Sequence, residues 1–525
     1  MLIKFLKDDG VMFLLKKNRI FTLVNLTFKL IKDKFYKFDT KNYNIDKFNI
    51  NFNDLKQITS LALTDKNYDN YNIQLTGFTV PLEKEIFQYD FKDKESLFSV
   101  YRFRWLLIGI EEYQNNEFAS KAIYIINYWI DNFEIFGKKV NETYSICERL
   151  LNILYFVSII KNNELSTKLN INKLEDIFQS QILDILNNIE YRGKHTNNHI
   201  LNNARALYIL GALLELKEVK DIGKEVLVNN FNYHIQEGVL LEGSFHYQVL
   251  LTRSMIEIYN TAMQVYDNEM VNFISHKVFQ MIEITNGLHS KFSNQYPLVG
   301  DISPDFPIEF FEGFPFSKYG NSKWNNIFQI TIPNEKVKFN SDNKFWRKLE
   351  FNKIEIWIIK KDKIMAHAHN DNGSFYIFYK GKEILFDIGR YSYNRNSKYN
   401  FMLNQKYHNG ISNNIDINRN SIFFNIFNRI SEVKIYNIDS IIKISIKDCF
   451  NKKIYNLNIT INKNKIFIDT SEQISLFIKE FDNIIDNIIY LEGVELILGK
   501  KLNIDKILYS PNYGVLKAAL KIGIR

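Results

Sequence analysis

Cysteine is scarce in this chain: Cys147 and Cys449 are the only two among 525 residues. That excludes a small disulfide scaffold and cysteine-built zinc or iron–sulfur centres, and two thiols so far apart in sequence do not suggest a stabilising disulfide. Proline is also scarce, seven in all, and five of the seven fall between Pro297 and Pro333. Long apolar runs are missing at the N-terminus. MLIKFLKDDGVMFLLKKNRIFTLVNLTFKLIKDKF is broken by lysine and aspartate before any segment reaches the roughly eighteen residues a membrane span needs. No small-residue cleavage site follows a continuous apolar core. Neither a transmembrane segment nor a cleavable signal peptide is therefore expected, the cellular compartment stays open, and residues 11–33 read as an amphipathic helix that packs on the protein's own core. A strong charge of one sign is missing too. Lys and Arg number 67 against 59 Asp and Glu, a net +8 spread along the chain. Without a basic tail or cluster, nucleic acid is not an expected partner, whereas an acidic polysaccharide is compatible.

What the chain does have is length for more than one core, and two kinds of periodicity. From about residue 95 to 290, segments such as LFSVYRFRWLLIGIEEY, CERLLNILYFVSII and ILNNARALYILGALLEL place apolar residues at i, i+3, i+4 and i+7. Helices joined by short polar connections predict hairpins around one core, as in an α/α toroid. The proline cluster ends this pattern, since helix cannot continue through it. Beyond it come short β-rich runs, KIEIWIIKK, GSFYIFYKGKEILFDIG and SIIKISIKD among them, that predict an antiparallel β-sandwich. The expected domains are an N-terminal extension over 1–90, a helical toroid over 91–330 and a β-sandwich over 331–525.

Candidate site residues gather at the edges of these elements. MAHAHND at 365–371 places His367 and His369 just before a strand, EILFDIG ends in Asp387, and KYHNG supplies His408. Two histidines and a carboxylate at strand ends make a normal zinc ligand set, although any one of them alone is better read as a hydrogen-bonded structural group. In the helical half, Asn197, Asn198 and His199 open an apolar helix, and Glu242, Ser244, His246 and Tyr247 precede another. Helix capping accounts for one asparagine and for Ser244. It does not account for the histidine.

Taken in order, RFRW at 102–105, YSICERLLN at 144–152, NNHILNNARAL at 197–207, EGSFHYQ at 242–248, HAHND with LFDIGRYSY at 367–393 and YHNG at 407–410 resemble the motif series of the heparinase II/III family of polysaccharide lyases, its alginate lyase relatives included. Departures are Ala368 between the histidines, Gln248 after the tyrosine and a short connection from Asp387 to His408. The resemblance implies an α/α toroid followed by an antiparallel β-sandwich, and β-elimination on a uronate-containing glycan. It implies that Asn198 and His199 contact the uronate carboxylate, that His367 is the catalytic or charge-neutralising histidine, that Tyr247 is the base with His199 the alternate base and the division of base and acid roles left open, and that His369, Asp387 and His408 hold a supporting zinc. Arg149, Arg102 and Arg104 are expected to bind carboxylate or sulfate, with Glu242 and His246 also at the substrate. Asp301, in PLVGDIS, matches a family loop and carries little weight. Two other readings stay open: a glycoside hydrolase, which would require a carboxylic acid pair such as Glu242 and Asp301, and a non-catalytic glycan-binding protein on the same scaffold.

Overall fold

A computed structural model of the chain describes residues 48–525 except 92, 192–196, 317–318, 329, 331–339, 362–366, 395–396, 413–430, 449–452, 500–501 and 525. The amphipathic segment expected over 11–33, and Cys449, lie outside the described residues.

A short hairpin, β1 (Asn72–Leu75) with β2 (Phe78–Pro81), precedes the helices. These are α1 (Lys94–Tyr101), α2 (Trp105–Tyr113), α3 (Asn116–Asp131), α4 (Phe133–Phe136), α5 (Thr143–Asn162), α6 (Ile171–Asn187), α7 (His199–Leu213), α8 (Lys217–His234), α9 (Phe245–Gln264), α10 (Asn268–Leu288) and α11 (Lys323–Ile327). Helices α2, α5, α7 and α9 pack on one another in sequence order, and each is backed by the helix that follows it or, for α5, by α6. The sequence shows why. Helices α5 and α7 are apolar nearly all round and are buried along most of their length, so they form the inner ring. Helices α3 and α6 carry one apolar stripe and form the outer one. Helix α5 is long and apolar enough to cross a membrane, but its surface is covered by its neighbours.

The buried arginines Arg205 and Arg149 of the ring meet carboxylates and backbone carbonyls respectively. Arg205 of α7 reaches Glu148 of α5 at 2.7 Å and Glu257 of α9 at 2.5 Å, locking the inner helices together where an unpaired guanidinium would be costly. Arg149 is wholly buried and donates to the carbonyls of Tyr101 at 2.8 Å and Val140 at 2.7 Å. Its expected place at the substrate is therefore corrected: it ties the α1 end and the loop before α5 to the ring. Cys147 is buried on α5 and takes a hydrogen bond from Asn203.

After a two-residue hairpin, β3 (Ile235–Gln236) with β4 (Val239–Leu240), the remaining strands form three sheets. The first contains β5 (Trp346–Phe351), β6 (Ile354–Ile359), β7 (Phe375–Tyr379) and β8 (Lys382–Leu385) in sequential antiparallel order. It is buried on both faces. Ile354, Ile356 and Ile358 join the sandwich core while Trp357 and Ile359 join the helical core, which is why β6 is apolar on both faces except at Glu355, a buried carboxylate 2.6 Å from Lys348 Nζ. Next come β9 (Gly410–Ile411), β10 (Glu432–Ile438), β11 (Ile441–Lys447), β12 (Ile454–Asn462), β13 (Lys465–Asp469), β14 (Ile474–Ile478), β15 (Asn483–Ile485), β16 (Ile488–Leu491), β17 (Val494–Leu498), β18 (Leu502–Tyr509) and β19 (Lys517–Ile524). One sheet runs β10-β11-β12-β13-β17-β16-β15, the other β18-β19-β14-β9. Alternation is strict where one face meets water, as in β12, whose inward Tyr455, Leu457, Ile459 and Ile461 are buried. The architecture is the toroid followed by antiparallel sheets, with one parallel pair, β13 with β17, inside them.

Candidate functional site

The inner helices begin at the same end of the toroid. Arg102, before α2, donates to Ser145 of α5; the Tyr144 ring of α5 lies 4.7 Å from the His199 ring of α7; and Asn198 N–H, at the start of α7, donates to Glu242, before α9, at 3.1 Å. Helix starts concentrate free N–H groups and positive dipole ends, a setting that favours an anion.

Capping falls to the first of the two asparagines. Asn197 Oδ1 accepts from His199 N–H at 3.2 Å, so Asn198 is released from that task, and its buried Oδ1 has no partner. Asn198 lines a small pocket with Tyr144, Asn202, Tyr247, Arg253, Asp305 and Phe306. At α9 the capping expectation holds for Ser244, whose Oγ accepts from Tyr247 N–H at 3.2 Å and donates to the Asp301 carbonyl at 2.6 Å. This fixes Tyr247 on the first turn. Its ring stacks on His367 with centroids 3.7 Å apart and planes 11° from parallel, and its hydroxyl meets that of Tyr393 at 2.9 Å. Burial drives the Tyr247 phenol well above its usual pKa; the Tyr393 hydrogen bond opposes this, and the charges of Asp305, Asp301 and Glu95 add to it.

His367 is brought to Tyr247 by the loop at 297–303. Gly300 sits at φ +79°, and a Cβ there would lie 2.7 Å from the Gly243 carbonyl and 2.9 Å from that of His367. Only glycine lets three backbones meet so closely. Asp301, next in the chain, donates its N–H to the His367 carbonyl at 2.9 Å and spends both carboxylate oxygens on the histidines: Oδ2 lies 3.1 Å from His367 Nδ1 and Oδ1 lies 2.9 Å from His369 Nε2. Burial alone would raise the Asp301 carboxyl, but Arg390, 3.8 Å away, and the two histidines outweigh it and hold it well below the usual range. Asp301, given little weight from sequence, is a central clamp.

His369, Asp387 and His408 are all buried, and one ligand atom from each lies within 4.8 Å of the others. The donor set suits a metal ion. His369 Nδ1 and His408 Nε2 are buried without partners, and Asp301 on His369 Nε2 leaves Nδ1 as the lone-pair nitrogen. Asp387 is steadied by the Tyr376 hydroxyl and by Gly389 N–H at 2.9 Å, with His408 Nδ1 at 2.9 Å. Burial lowers the His369 pKa against the pull of Asp301, which favours the neutral imidazole a metal requires.

Four other candidates are buried and held by protein partners. Arg102 is committed to three carboxylates, Asp305 at 2.6 Å, Glu142 at 2.7 Å and Glu95 at 3.2 Å. Arg104 is 3% exposed, bonded to Thr76, and lowered to about 10 by burial. His246 accepts from Ser303 N–H at 3.1 Å and is pushed down to about 3 by burial, so it is a neutral brace for the 301–305 loop. Glu242 is buried between Asn198 N–H and His367 Nε2, 3.6 Å away, and joins the two halves of the site instead of facing a substrate. Gln248 stands where the family often has histidine and is structural, holding Leu240 N–H and the Gly238 carbonyl.

Sequence reading missed Tyr393, two residues past the tyrosine of the recognised motif, and Glu190, whose Oε1 lies 3.1 Å from His199 Nδ1. Neither carries a local pattern.

Residues 359–414, which hold both histidines of HAHND together with Asp387 and His408, match the family described as heparinase II/III-like, C-terminal. No curated protein matches the sequence. Among solved structures, heparinase III superposes with a TM-score of 0.58 at 12% identity, covering 99% of this chain and 89% of that one. A mutant of the heparan sulfate lyase HepC from Pedobacter heparinus gives 0.50 at 15% identity, covering 99% and 88%. Residues 359–414 thus carry a segment similar to the heparinase II/III-like C-terminal domain, and over its described length the chain has the fold of heparinase III.

Proposed function

We propose that the protein is a polysaccharide lyase that cleaves a uronate-containing acidic glycan by β-elimination, taking the C5 proton, expelling the C4 oxygen and leaving an unsaturated sugar. The observation that carries this reading is the convergence, at the open ends of the inner helices, of Asn198, His199, Tyr247 and His367, with Tyr247 stacked on His367 at 3.7 Å.

A C5 proton is hardly acidic until the neighbouring carboxylate is neutralised, so the reaction needs preorganised donors and cations where the enolate-like charge develops. Asn198 and His199 supply them. Tyr247 is a protonated phenol in the substrate-free site, the state in which it gives a proton to the leaving oxygen. His367 stacks on Tyr247 and is the group at hand to take the C5 proton, while burial keeps the Tyr393 phenol that touches Tyr247 protonated. The metal proposed for His369, Asp387 and His408 is zinc, whose chemistry here would be to brace the loop that presents His367; Asp301 bonds to both histidines of that loop.

Incubation with a panel of uronate-containing polysaccharides should give new ultraviolet absorbance from the unsaturated product. Tyr247→Phe should lower kcat/KM by about 100-fold or more. Reducing ends that appear without absorbance would sink the lyase reading and promote hydrolysis. Glu242 and Asp301 would be the acids for that alternative, but each is already engaged by histidine or backbone donors.

A further inference from the structure

The roles assigned so far leave Glu190 unused, although it touches the site. It lies in the connection between α6 and α7, and its place is fixed reciprocally by Asn203 of α7: Asn203 Nδ2 donates to Glu190 Oε2 at 3.3 Å, and Glu190 N–H donates to Asn203 Oδ1 at 2.8 Å. Its other oxygen, Oε1, lies 3.1 Å from His199 Nδ1. A carboxylate only accepts, so His199 Nδ1 carries the proton in this contact. Nε2 is then left on the far side of the ring, on a side chain that keeps 32% of its surface exposed beside Tyr144 and Asn198.

We propose that Glu190 is a positioning residue that fixes the Nδ1–H form of His199 and holds the ring as a cation at the cleft, so that His199 neutralises an acidic group of the bound glycan instead of acting as a base. The identity of that acidic group rests on the lyase reading; the Glu190–His199 pair does not. Among the described residues, the other charged groups facing His199 are Glu142, from the segment before α5, and Glu242, from the segment before α9, and the phenol of Tyr144 packs on its ring. Burial opposes the imidazolium, but the hydrogen bond and charge of Glu190, with Glu142 and Glu242, outweigh it and raise the His199 pKa.

The test is an NMR titration of histidine-labelled protein without substrate, the His199 signal assigned by its loss in His199→Ala. In the wild type the midpoint should lie above the ordinary value of about 6.5. At a pH above that midpoint, long-range ¹H–¹⁵N correlations should report the Nδ1–H tautomer, whereas free imidazole prefers Nε2–H. In Glu190→Gln, whose amide oxygen can still accept from Nδ1, the midpoint should fall by about one unit or more. An unchanged midpoint in Glu190→Gln, or an Nε2–H tautomer in the wild type, overturns the proposal; the tautomer is read on the wild type alone and does not depend on the variant folding. Ultraviolet product assays are scored separately. A shifted midpoint in a protein without lyase activity would uphold the Glu190 assignment and remove only the glycan reading.

Discussion

Asp301 shows how much one side chain can join. It holds His367, which faces Tyr247, and His369, which faces Asp387 and His408, with one oxygen each. Asp301→Asn should therefore act on two readouts together. Zinc affinity, measured by competition with a chromophoric chelator, should drop by about 10- to 100-fold, the usual effect of losing a carboxylate behind a ligating histidine; kcat should drop as well. His369→Ala should retain little zinc, and equal zinc in wild type and His369→Ala would remove His369 from the site. The residue scale is also where sequence reading was most uneven. HAHND, Asp387 and His408 could be picked out because their types and order are distinctive, and the structure brings them together. Arg149 and Arg102 could not be judged, because an arginine in a helix looks the same whether it faces a ligand or, as here, backbone carbonyls and buried carboxylates.

At the scale of elements, the inner ring depends on close helix pairs. Helices α7 and α8 approach so nearly that a Cβ at Gly223 would lie 2.4 Å from Tyr208 N, and one at Gly211 would lie 2.3 Å from Lys220 N. Both obstacles are backbone, which cannot rotate away. Gly223→Ala should destabilise the fold by roughly 1–3 kcal/mol, as overpacking does, despite alanine's better helix propensity. Chemical denaturation against wild type checks this, and an unchanged midpoint would mean that the helix pair relaxes freely. Helical periodicity between residues 95 and 290 was enough to anticipate these helices and their hairpins. It could not show that their starts share one end, because that follows from each inner helix being returned by an outer one, a long-range fact. Tyr393 and Glu190 were missed for the same reason: each meets its partner through the meeting of separate elements, 146 and nine residues apart in sequence.

Across the whole molecule, burial sets a pH limit. His246 is pushed down to about 3, and His234 and His289 to about 4, each chiefly by burial. Once unfolded, these histidines take up protons below about pH 6.5. The folded state does not until pH approaches 3 to 4, so the stability they lend is full above 6.5 and is lost as pH falls below it. Each contributes a slope of about 1.4 kcal/mol per pH unit inside that window. His199, raised in the fold, works in the opposite sense above 6.5. Melting temperature should thus fall steeply from pH 6.5 toward 4, and a flat profile would show that the three rings are hydrated in solution.

The central claim concerns what the cleft does to a glycosidic bond, and product mass reads it most directly. Digestion of a uronate-containing oligosaccharide in ¹⁸O-labelled water should yield non-reducing ends that lack one water and carry no label, and Tyr247→Phe should yield almost none. Saturated non-reducing ends, one water heavier, with ¹⁸O placed on C1 of the new reducing ends, would contradict elimination and make the protein a hydrolase on a lyase scaffold.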